Sequence, residues 1–147
     1  MKRIARSAIV EHSAAELYAL VEQIEAYPEF LPWCRRARVH ERSTPEKTRA
    51  TLEVGLKGVT QSFSTENFNR PGEAIDMRLV AGPFRRFRAG WKFTRLGAHA
   101  AKIEFEMAYE FGSPALARLL EPLFQHIADT MVDAFSRRAG VVYGDAQ

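Results

Sequence analysis

Cys34 is the only cysteine of this chain. One thiol excludes an internal disulfide and suits a reducing compartment. No apolar run approaches the ~20 residues a helix needs to cross a bilayer. The basic opening Met1-Lys2-Arg3-Ile4-Ala5-Arg6 leads into neither an apolar signal segment nor a long Ser/Arg-rich transit peptide. The expected location is therefore the cytoplasm. His12, His40, His99 and His126 pair neither with one another nor with Cys34 at metal-ligand spacing. A Gly-rich phosphate loop, a nucleophile elbow and a zinc motif are all missing. Glu104, Glu106 and Glu110 share a strand face opposite Ile103, Phe105 and Met107, so they point to water rather than into a site. These absences argue against catalysis and against a metal or other cofactor.

The bulk numbers are those of one domain. At 147 residues the chain is long enough for a sizeable core, and 1–147 is read as a single unit. A net charge of +3 permits contact with RNA or anionic lipid without requiring it.

Periodicity gives the architecture. Residues 2 to 11 alternate as a strand, with Ile4, Ala8 and Val10 on one face. Ser13-Ala14-Ala15-Glu16 is a capping box, followed by Leu17, Leu20, Val21 and Ile24 at helical spacing. That helix is expected to end before Tyr27-Pro28. From about residue 36 to 111 the period is two, as in Ala50, Leu52, Val54 and Leu56, or Phe87, Ala89, Trp91 and Phe93. Thr44-Pro45, Gly58, Pro71-Gly72, Gly82-Pro83 and Gly97 separate about six antiparallel strands. Ser113-Pro114 opens a final helix. Its apolar stripe extends to about Ala139, where Gly140 is expected to stop it, and Pro122 is expected to kink or split it. A long sheet with one apolar face needs a cover, and this helix is the only element long enough.

One stretch departs from ordinary loop chemistry. Tyr27-Pro28-Glu29-Phe30-Leu31-Pro32-Trp33-Cys34 joins four large apolar side chains to two prolines. Connections normally face water, so these rings plug the core's end or wall an apolar pocket. A second motif runs Gly82-Pro83-Phe84-Arg85-Arg86-Phe87 and on to Gly90-Trp91-Lys92-Phe93. A third closes the last helix, from Met131 to Ala139.

These three stretches, in this element order, resemble the coenzyme Q-binding branch of the START-like, helix-grip superfamily, and within it the bacterial RatA-type ribosome association toxins. The resemblance spans essentially the whole chain. It implies an α+β helix-grip fold: a curved antiparallel sheet of six to seven strands around a long C-terminal helix, with a smaller helix near the N-terminus. It also implies a non-catalytic binding protein. The first functional expectation is an apolar cavity for ubiquinone or a similar lipid, in support of respiration. The alternative is binding to the large ribosomal subunit, which blocks subunit joining in translation initiation.

Candidate pocket residues follow from the inward positions. Trp91, Phe93, Phe105, Met107 and Tyr109 come from strands, and Leu120, Leu123, Phe124 and Ile127 from the helix. Tyr27, Phe30, Leu31 and Trp33 close one mouth, with Phe84 from the second motif. Met77 and Met107 are soft enough for a flexible ligand. Tyr109 and His126 are the least unsuitable polar pair if the cavity were catalytic. The second candidate surface is basic: Arg35, Arg36 and Arg38 after the aromatic loop, and Arg85, Arg86 and Arg88 after Gly82-Pro83. As one patch they would meet ribosomal RNA phosphates or the anionic headgroups of a membrane, such as the inner membrane, to which the chain would then be peripheral. As separate surface arginines they would guard strand edges. DNA is not among the expected partners.

Overall fold

The computed structural model describes residues 1–144; positions 145–147, part of the expected 1–147 domain, lie outside the described residues. β1 (Lys2–Val10) leads into α1 (Ala14–Glu22) and a 3-10 turn (Ile24–Glu29). Six strands follow: β2 (Cys34–Thr44), β3 (Lys47–Leu56), β4 (Val59–Arg70), β5 (Ala74–Ala81), β6 (Phe84–Gly97) and β7 (Ala100–Phe111). α2 (Pro114–Tyr143) closes the described chain.

All seven strands form one antiparallel sheet in the order β1-β7-β6-β5-β4-β3-β2. The meander from β2 to β7 is completed by β1, which returns to pair with β7 from Lys2↔Tyr109 to Val10↔Ala101. This is the helix-grip arrangement that the family resemblance implies. Its apolar positions (Ile75, Trp91, Phe93, Ile103, Phe105, Met107, Tyr109) are buried on the face that α2 covers. Residues of intervening parity, such as Arg78, Arg88 and Glu106, are exposed.

Both helix starts were legible. The Ser13 hydroxyl accepts from Glu16 N at 3.1 Å, and the Glu16 carboxylate accepts from Ser13 N at 3.1 Å. Ser113 caps α2 by accepting from Leu116 N at 3.2 Å, with Pro114 opening the first turn.

Three local expectations change. The segment holding Tyr27-Pro28 is a 3-10 turn rather than an irregular connection; φ near −65° suits proline there, and the Tyr27 hydroxyl donates to the Val21 carbonyl. α2 passes Pro122 without a break. Pro122 is exposed, so the Arg118 carbonyl that loses its donor faces water. α2 also runs through Gly140 to Tyr143. A helical glycine costs about 1 kcal/mol, but the last turn is anchored on α1. The Tyr143 hydroxyl donates to the Glu16 carbonyl at 3.1 Å, and its ring lies 6.0 Å from His12. The stop falls instead at Gly144, whose φ of +84° is left-handed.

Candidate functional site

Antiparallel pairing sorts the turns to two ends of the sheet. One end gathers Lys2, the start of β2 at Cys34, the β3–β4 turn at Lys57-Gly58, the β5–β6 turn at Gly82-Pro83, and Phe111. Gly112 N donates to the Pro83 carbonyl at 2.9 Å, which brings the N-terminus of α2 to the same end. Two candidate sites relate to this geometry: a cavity between the sheet and α2, and a cationic rim at this end.

The cavity is about 50 Å³. Eight of the expected pocket residues line it: Tyr27, Trp33, Met77, Trp91, Phe105, Met107, Phe124 and Ile127. The other seven sit elsewhere. Leu31, Leu120 and Leu123 are buried outside the lining. Phe30 is half-buried against Phe135, with the Arg138 guanidinium 4.9 Å from its ring. Phe93 packs between Trp91 and Tyr18. Phe84 stacks on Phe111 at 5.1 Å and meets Phe124 edge-on at 4.9 Å. Tyr109 turns its hydroxyl away, donating to Glu121 Oε1 at 3.0 Å; burial and the Glu121 charge raise its pKa well above that of a free tyrosine.

A space of 50 Å³ holds a few waters. Drug-sized ligands occupy roughly 300 Å³ or more. Leu52, Phe63, Met77 and Phe87 are half-buried and mark the mouth. A substituted ring is larger than this space, so it enters only if lining side chains move. The lining includes one polar pair that sequence reading did not single out: Thr65 and Asn67 of β4. Thr65 Oγ1 donates to Asn67 Oδ1 at 2.9 Å. The candidate polar pair Tyr109 and His126 is not there, since His126 is exposed on α2. No carboxylate, histidine, lysine or thiol lines the cavity among the described residues. Cys34 is buried nearby, its thiol donating to the Arg36 carbonyl at 3.5 Å; burial pushes its pKa up to about 11, the reverse of a reactive cysteine.

The basic surface is built differently from expectation. β2 and β6 are four strand spacings apart, roughly 19 Å along the sheet, so the two arginine triplets are not neighbours. Arg85 pairs with Glu110 at 3.4 Å and Arg88 with Asp76 at 3.3 Å, so part of that charge is neutralised. Arg35, Arg36 and Arg86 are exposed and form no ion pair among the described residues. Two cations that sequence spacing could not group join them at the same end: Lys57 in the β3–β4 turn and Arg118 in the first turns of α2. They are also exposed and without an ion pair among the described residues, and Lys57 sits at φ +51° in the tight turn. Arg38 lies farther along β2, exposed and likewise without an ion pair among the described residues. Glu53, beside Arg36 in the register, is the acidic residue without an ion pair closest to this end among the described residues. Glu11, Glu41, Glu46 and Glu73, also without Lys or Arg partners, lie toward the opposite end.

Two shallow grooves on the outer sheet face, about 480 and 460 Å³, surround Gly90. They are open to solvent, and their shared Asp76 and Arg88 are already paired. No helix among the described residues is long and apolar enough to cross a membrane.

A curved sheet gripping one long helix around an apolar interior defines the START-like class of small α+β proteins. The chain matches the family described as "Polyketide cyclase / dehydrase and lipid transport" over residues 10–136, and it belongs to that family, in its RatA-type branch. It is 40% identical over 145 residues to the ribosome association toxin RatA of Vibrio cholerae, covering 99% of this chain and 100% of that one. It is 25% identical over 140 residues to the mitochondrial coenzyme Q-binding protein COQ10 of Dictyostelium discoideum, covering 93% of this chain and 68% of that protein. Among solved structures, the Zhui aromatase/cyclase of Streptomyces sp. R1128 superposes with a TM-score of 0.86, over 99% of each chain at 14% identity, which speaks for the fold alone.

Proposed function

We propose that this chain, acting as a single domain, binds the large ribosomal subunit through its cationic rim and blocks subunit joining. The observation that carries the reading is the set of unpaired cations at one end of the sheet: Arg35, Arg36, Lys57, Arg86 and Arg118. Unpaired surface arginine and lysine release counterions when they meet RNA phosphates, whereas Arg85 and Arg88 must first leave carboxylates. Near-full-length identity of about 40% to proteins named ribosome association toxins supports the same reading. The reading is of a binding protein, because the near-full-length relatives are named for ribosome association rather than for a reaction.

The test is subunit joining. Purified protein is added to separated ribosomal subunits at a magnesium concentration that favours joining, and the products are resolved on a sucrose gradient. The expected result is a loss of joined ribosomes, with the protein in the large-subunit peak. Unchanged joining at a several-fold molar excess of protein would overturn the reading. Anionic vesicles serve as the control for a peripheral membrane role. Binding to vesicles with no effect on joining would move the rim's partner to lipid and the location to the membrane surface.

A second reading rests on the apolar cavity. It is the natural place for ubiquinone or a similar lipid, and the coenzyme Q-binding relative supports it. It ranks second because 50 Å³ admits no such ligand until lining side chains move.

A further inference from the structure

The inner face of β4 breaks the apolar rule that β5, β6 and β7 obey. Between Phe63 and the end of the strand, the inward positions are Thr65, Asn67 and Asn69, which are 8%, 5% and 5% exposed. Asn69 has a structural role. Its Nδ2 donates to the Pro45 carbonyl at 3.3 Å and to Thr48 Oγ1 at 3.1 Å, tying down the β2–β3 turn. Asn67 has no such partners. Thr65 Oγ1 donates to its Oδ1 and so fixes which way the amide faces, while Asn67 Nδ2 makes no hydrogen bond among the described residues. Asn67 lines the cavity in mid-sheet, flanked by Thr48 on β3 and Met77 on β5.

Asn67 is 5% exposed, and a buried side-chain amide with an unused donor costs more than an apolar side chain. Leucine or valine at this position would avoid that cost and complete the apolar face. We infer that Asn67, oriented by Thr65, is the hydrogen-bond donor that anchors a neutral, carbonyl-bearing apolar ligand in this cavity. The inference rests on the cavity reading and deepens it by naming the ligand's polar end. An acceptor is required because the free group is an N–H. Neutrality is required because no cation lines the cavity, and a carboxylate or phosphate there would be buried uncompensated. The ligand's body is apolar because the lining is mostly apolar and includes Leu52, Met77, Met107 and Met131, side chains that adapt to irregular shapes.

The chain carries its own reporters. Its two tryptophans, Trp33 and Trp91, both line the cavity. Their fluorescence is titrated with a decyl-substituted benzoquinone, which quenches on binding. Decylbenzene, which has the same tail and no carbonyl, is measured by competition. Asn67→Leu removes the donor; Asn67→Ala removes it with a smaller side chain, in case the leucine variant fails to fold. The wild type is expected to bind the quinone. Either variant is expected to weaken quinone binding roughly tenfold, about one hydrogen bond's worth, and to leave decylbenzene unchanged or tighter. Equal quinone affinity in wild type and variants, or wild type that binds decylbenzene but not the quinone, would overturn the anchor while leaving the cavity reading in place. Wild type that binds neither probe would overturn the cavity reading and the anchor with it.

Discussion

Phe124→Ala probes how the helix is held on the sheet. Phe124 is 1% exposed on the inner face of α2 and touches both the cavity and the aromatic cluster at the basic end. Its ring meets Phe84 at 4.9 Å, Phe63 at 5.5 Å and Phe111 at 5.9 Å. Truncation removes roughly 100 Å³ of side chain, contributing about 2.4 kcal/mol of cavity cost if the walls stay put. The lost transfer free energy adds about 2 kcal/mol. For a chain of this size the loss lowers Tm by about 10–15 °C. The hole joins the existing cavity to make about 150 Å³, a size that holds benzene in an engineered apolar cavity. Calorimetry with and without benzene is therefore expected to show a large drop in Tm, partly restored by the ligand. Leu119→Ala, at a position 56% exposed one turn away, is expected to change Tm by under 2 °C. A loss below 1 kcal/mol for Phe124→Ala would refute the packed interface. A smaller loss, near the transfer contribution alone, without benzene rescue would show that the sheet collapses onto the gap.

Two further outcomes follow from local geometry. Ser13→Ala removes the cap hydroxyl of α1 and half of its capping box, and is expected to cost about 1 kcal/mol in urea unfolding. Ser13→Asp is expected to retain most of that stability. Cys34 gives a pH signature. Burial raises its folded pKa to about 11 from 9.0, so between these values the folded state holds a proton the unfolded chain has lost. Stability is therefore expected to fall as pH rises from 9 to 11, and Cys34→Ala is expected to flatten that part of the profile. In the folded protein at pH 8, iodoacetamide is expected to label Cys34 far more slowly than after denaturation.

Much of the architecture was legible because the chain repeats simple rules. β3, β5, β6 and β7 each alternate apolar with polar residues, and both helices announce their starts with serine caps. β4 was the exception. Its inward residues Gln61, Thr65, Asn67 and Asn69 are polar, so periodicity could not separate its two faces, and the one polar pair in the cavity stayed hidden there. The far end of α2 was misjudged because Gly140 is a local stop signal overridden by a distant contact, Tyr143 on Glu16. About half of the expected pocket residues line the cavity. The others are equally buried, and burial alone does not distinguish a wall from a core. The arginine triplets looked like a unit because they flank two motifs. The folded rim depends instead on which cations have no partner, and it draws Lys57 and Arg118 from elements that spacing along the chain does not connect.

The most direct test of the rim is its affinity for purified large ribosomal subunits, measured at 50 and 200 mM salt. Three variants are compared: wild type, the triple Arg36→Ala/Lys57→Ala/Arg86→Ala, and the triple Arg70→Ala/Lys92→Ala/Arg95→Ala, whose cations are also unpaired but lie toward the other end of the sheet. Each phosphate contact contributes about 0.7–0.9 to the slope of log K against log salt, so three lost contacts reduce the salt sensitivity between these conditions by about 25-fold. The rim triple is expected to bind weakly with a slope shallower by about 2 to 3, and the distal triple to match wild type. Equal losses in both triples, or an unchanged slope in the rim triple, would contradict the assignment of ribosome binding to this end of the sheet.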